Sequence, residues 1–149
     1  MQADASKHVP RALLILLLAY GAASLLHYAH NAEFLADYPN MPTWLSRTKV
    51  YVAWFGVTAV GVLGYLLVRR GYQLIGLFVI AVYAALGFDG LGHYTLAPVS
   101  AHTATMNVTI WLEVATAALV LFAAASLLAK QVRARATTGK RKRRTQVLH

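Results

Sequence analysis

Four apolar runs divide this chain, and each is near the ~20 residues that a helix needs to cross a bilayer. They extend from about Ala12 to Tyr28, Val50 to Val68, Tyr72 to Leu91 and Thr103 to Ala129. The fourth is the longest, so it is expected to tilt or to run beyond the lipid. None alternates polar and apolar residues as a barrel strand does, and strands that do not close a barrel cannot span hydrocarbon. The expected fold is therefore all-α, an integral membrane four-helix bundle. Three parts are expected: an N-terminal segment at 1–11, the spans at 12–129 and a basic tail at 130–149.

Composition supports the bilayer as solvent. Of 149 residues, 58% are hydrophobic and 13% charged, against about 25% charged in soluble domains. There is no cysteine, which excludes disulfides, thiolate metal sites and cysteine nucleophiles. The first run is too long for a signal-peptide core and has no convincing cleavage site, so it reads as a retained span.

The basic residues set an expected orientation. Lys7 and Arg11 precede the first span, Arg69 and Arg70 join the second to the third, and Lys130, Arg133, Arg135 and Lys140–Arg144 follow the fourth. With four spans these regions share one side, and only Arg47 and Lys49 occupy the other. The positive-inside rule then makes both termini cytoplasmic, in a bacterial inner (plasma) membrane. The basic tail lacks the interleaved aromatics that stack on bases, so no nucleic-acid partner is expected. It reads as an anchor for anionic lipids, without fixed structure. A second copy or another membrane protein is the remaining class of partner.

The longest link lies between the first two spans. Its Tyr38-Pro39-Asn40-Met41-Pro42 stretch reads as a turn, because each proline fixes φ and biases its predecessor away from helix. Tyr38 and Trp44 suit a headgroup belt. The glycines of spans two and three suit close helix packing.

Chemistry-bearing residues gather toward one end of the expected bundle. Residues three and four apart share a helix face. Tyr20, Ser24, His27 and Asn31 form one polar stripe, with His30 and Glu33 beyond it. His102, Met106, Thr109 and Glu113 form another. Asp89 and His93 stand four apart, so Asp89 is a candidate ligand or the acceptor that fixes the His93 tautomer. Glu113 falls about 16 Å below His102 at roughly 1.5 Å per residue. Polar stripes on membrane helices are expected to face the bundle interior.

These residues define the leading expectation, a metal site near the periplasmic face. His27, His30, His93 and His102 are its candidate imidazole ligands, with Asp89 and Glu33 as carboxylates. Without thiolates the metals are zinc, copper or iron, and haem b between facing histidines is a lesser option. Such a site suits metal binding or delivery, or oxidation of a lipid-like substrate. Two rivals stand beside it. One is a non-catalytic scaffold or accessory subunit whose polar stripes hold helices together. The other is a proton or ion relay through Glu113, Asp89 and the histidines.

Overall fold

The computed structural model describes the backbone of residues 10–146 and the side chains of residues 10–137. Most of the N-terminal segment and the last three residues of the tail lie outside this range. Among the described residues every regular element is helical, and four stretches are long and apolar enough to cross a membrane. They mark a membrane protein.

Helix α1 spans Arg11–Glu33, with Pro10 at its N-cap. A short 3-10 turn, Leu35–Asp37, opens the long link. Asn40 takes a left-handed φ of 56° there, which asparagine tolerates better than most residues. Helix α2 spans Arg47–Arg69, and the Ser46 hydroxyl accepts from the Lys49 N–H at its start. Gly71, with φ at 91°, makes the tight turn that follows α2, a backbone setting that glycine adopts without steric cost.

Helix α3 spans Gln73–Leu86 and stops earlier than the apolar run implies. The chain continues as a 3-10 turn at Asp89–Gly92 and a single helical turn, α4, at His93–Leu96. Glycines at 87, 90 and 92 account for the break, since each costs a helix interior about 1 kcal/mol relative to alanine. Helix α5 runs from Ala104 to Gln146. Near its start, the Thr103 hydroxyl accepts the Met106 N–H at 3.2 Å, as an N-cap residue does. Residues 130–146, expected without fixed structure, continue this helix.

Helices α1, α2, α3 and α5 close a four-sided bundle. The α2–α3 seam is the most extensive, α5 lies against α1 and α3, and α1 meets α2 more thinly. Glycine permits the tight seams. A Cβ on Gly76 would lie 2.7 Å from the Val68 nitrogen and 2.9 Å from the Gly64 carbonyl oxygen. Across the core, the Tyr20 hydroxyl donates to the Tyr83 carbonyl at 3.2 Å. The Tyr20 hydroxyl also occupies the place a Cβ on Gly87 would take.

Candidate functional site

Both polar stripes face inward. Tyr20, Ser24, His27 and Asn31 are all buried, as are His102, Met106, Thr109 and Glu113. Leu25 and Leu26 beside the first stripe are exposed, and so are Val108, Trp111 and Leu112 beside the second. Helices α1 and α5 lie against one another, so the stripes meet and form a polar core at one end of the bundle.

The inner pair is His27 and Glu113. His27 Nε2 and Glu113 Oε2 are 3.7 Å apart, with the residues 3% and 1% exposed. Neither carboxyl oxygen of Glu113 has a partner in good hydrogen-bond geometry, and the Ser24 hydroxyl lies beside the group. The Thr109 hydroxyl lies 3.0 Å from the Met106 carbonyl and 3.4 Å from His27 Nδ1. When its hydrogen goes to the carbonyl, Nδ1 is the N–H donor and the lone pair of Nε2 faces Glu113. A separation of 3.7 Å is too long for a direct hydrogen bond, and a small side-chain movement would close it. Gly90 packs beside the pair, with its Cβ position 3.4 Å from Glu113 Oε2 and 3.7 Å from His27 Nε2.

His93 comes next. Its ring centroid lies 5.4 Å from that of His27 and 6.1 Å from that of His102. Its Nε2 accepts from the Asn31 amide at 3.1 Å, while Nδ1 has no partner. The expected Asp89–His93 pair is thus not formed. That pairing presumed a continuous α-helix, and the 3-10 turn at Asp89–Gly92 removes the four-residue register. Asp89 instead lies at the surface and lines a cavity. His102 donates from Nδ1 to the Pro98 carbonyl at 3.1 Å, and its Nε2 is buried without a partner.

Tyr38 covers this group, a role the sequence did not reveal. It is 3% exposed instead of lying in a headgroup belt. Its ring stacks near His93 at 4.9 Å, and its hydroxyl is 2.9 Å from His30 Nδ1. Burial pushes the Tyr38 hydroxyl up to about 12, so it remains protonated near neutrality. His30 joins the group only through Tyr38, with its own ring against Phe34. Asn40 pins the overlying link by donating to the Leu96 carbonyl at 2.8 Å.

Glu33 is engaged elsewhere. Its Oε1 pairs with Arg47 at 2.7 Å and accepts from the Tyr51 hydroxyl at 2.8 Å. Among the described residues, no three histidine, aspartate or glutamate side chains assemble into a metal-ligand set.

A cavity of about 400 Å³ adjoins the polar core. His27, Asn31, Asp89 and His93 supply its polar lining, and Trp44, Leu45 and Val50 are among its apolar walls. His27 therefore touches the cavity on one side and Glu113 on the other. The sequence matches no protein-family model, and comparison with curated proteins and with solved structures finds no match.

Proposed function

We propose that this protein is a membrane-embedded proton relay, with the His27–Glu113 pair as its exchange group and the cavity beside Asp89 as its entrance. The observation that carries this reading is the approach of His27 Nε2 to within 3.7 Å of a buried Glu113 carboxyl whose oxygens have no partner in hydrogen-bond geometry. An ionised carboxylate in such a setting is costly unless it is paired, so Glu113 is suited to hold a proton. That proton passes to Nε2 of His27, which leaves a carboxylate paired with an imidazolium; the imidazolium releases its Nδ1 proton toward the cavity, and the reverse sequence reloads Glu113 from the same cavity. A cation bound near Asp89 would be electrostatically coupled to the same pair.

The positive-inside argument orients the relay. Both termini lie in the cytoplasm of a bacterial inner membrane, and the cavity opens toward the periplasm. The basic C-terminal part of α5 then lies along anionic cytoplasmic lipid.

The test is proton flux into liposomes containing the purified full chain, followed with an enclosed pH-sensitive dye. The expected result is flux above empty vesicles that falls to their level in Glu113→Gln and His27→Gln. Unchanged flux in a folded Glu113→Gln protein would overturn the reading.

One observation favours a second reading, a metal centre. His102 Nε2 is buried and unpartnered, and the neighbouring His93 would offer Nδ1 once the Asn31 amide turned its unpartnered oxygen to accept from Nε2–H. Zinc, copper or iron bound there would appear as near-stoichiometric metal in purified protein and would be lost from a His93→Ala, His102→Ala double variant.

A further inference from the structure

The cavity beside the polar core has a chemistry of its own. Its volume, about 400 Å³, falls within the range of about 300–1,000 Å³ typical of small-molecule sites. Helix α1 contributes Tyr28 to its walls, the link that follows contributes Trp44 and Leu45, α2 contributes Val50, and the turns after α3 contribute Asp89 and Leu96. Aromatic and apolar groups thus make up most of the lining away from His27, Asn31 and His93.

Among the described residues, Asp89 is the one Asp, Glu, Lys or Arg that lines this cavity. It is exposed, and no described residue pairs with its carboxylate or hydrogen-bonds to it. The carboxylate is near enough to the Tyr28 hydroxyl and the His93 ring, two other walls, to act on both electrostatically.

These walls select by charge and by surface. An unpaired carboxylate repels anions. Hard metal ions are poorly served, since they take about six to eight oxygen ligands and one carboxylate offers two. A cation with hydrocarbon substituents matches both features. Its charge pairs with Asp89, its carbon surface leaves water against the apolar walls, and an aromatic ring adds cation–π attraction. The Trp44 ring already draws one cation, the Lys49 ammonium, 5.2 Å from its centroid. That ammonium is tethered by donating to the Trp44 carbonyl at 2.8 Å, and Lys49 does not line the cavity.

We infer that the cavity binds an amphipathic organic ammonium ion, with its charged nitrogen beside Asp89 and its hydrocarbon against Trp44, Leu45 and Val50. This goes beyond the proton relay, and binding does not require that protons move between Glu113 and His27.

The test is calorimetric titration of the full chain in an uncharged maltoside detergent. The probe is benzyltrimethylammonium, and the control is neopentylbenzene, which has the same shape without the charge. Saturable one-to-one binding of the ammonium is expected, with none of the neutral control. Asp89→Asn should weaken binding about tenfold or more by removing the opposite charge. Trp44→Leu should weaken it about threefold. Lys49→Met should instead tighten it about twofold, because a like charge leaves the vicinity. Asp89 and Lys49 are exposed, and circular dichroism checks that each variant folds. Equal binding of both probes, no binding, or unchanged binding in Asp89→Asn would overturn the proposal. So would displacement of the probe by dihexanoylphosphatidylcholine, which would assign the cavity to a lipid headgroup. The titration has no proton gradient, so an absence of flux in liposomes would sink the relay and leave this site standing.

Discussion

Asn31 and His93 join α1 to the turn that follows α3, through a bond of 3.1 Å between the amide nitrogen and Nε2. This contact holds His93 over the polar core although α3 has already ended. It also assigns the ring proton to Nδ1. Asn31→Leu should therefore do more than remove one hydrogen bond, because it strands a buried imidazole nitrogen. The expected loss is about 1–3 kcal/mol in unfolding free energy, measured by denaturation in mild detergent.

Glu113 offers a contrast between stability and function. Its oxygens have no partner in good hydrogen-bond geometry, and an amide can still accept from the adjacent Ser24 hydroxyl, so Glu113→Gln should shift unfolding by less than about 1 kcal/mol. A thermal scan of the same sample used for flux separates loss of relay from loss of fold.

The glycines are predicted to differ sharply. On Gly90 a new methyl would meet its neighbours at 3.4 Å and beyond, which is ordinary contact. On Gly76 it would meet the Val68 backbone nitrogen at 2.7 Å, which cannot rotate away. Gly76→Ala should destabilise the bundle by about 1–3 kcal/mol. Gly90→Ala should fold normally and slow proton flux by narrowing the space beside His27 and Glu113. Paired melting and flux measurements check both statements.

Gly87→Ala should destabilise to a similar degree, about 1–3 kcal/mol, since its methyl would meet Tyr20 and would lie 2.7 Å from the Ala117 Cβ. Tyr20→Phe removes the hydroxyl in its way and should restore part of the loss. The Ala117 contact should keep that rescue incomplete in a double-mutant cycle.

Tyr38 gives a pH prediction. Burial raises its folded value from 10.0 to about 12. A raised acid contributes stability that is complete below its unfolded value and is lost as pH climbs through the folded one. Stability should therefore fall between about pH 10 and pH 12. Tyr38→Phe should flatten that alkaline decline in denaturation curves collected across the window.

The helical architecture was legible because hydrocarbon imposes simple demands on length and polarity. The stripes at Tyr20–Asn31 and His102–Glu113 were legible too, since a polar residue repeated at helical spacing must turn inward. The early end of α3 was harder to see. Gly87, Gly90 and Gly92 suited both close packing and helix termination, and spacing alone favoured a continuous helix with Asp89 above His93. The His27–Glu113 contact depends on the axial offset between α1 and α5, which no local pattern encodes. Glu33 was drawn away by Arg47, a residue on another helix, and Tyr38 was placed by the long link folding back over the bundle.

The interruption after Leu86 has one last consequence. A straight span would have carried His93 onward along its own axis, past the neighbours it now touches. By ending the helix and spending the next residues sideways, the chain turns a loss of regular structure into lateral reach, delivering an imidazole to residues of α1 and of the two links beside it. Lengthening or shortening that detour by a single residue would leave all the crossing helices intact and still dismantle the chemistry between them.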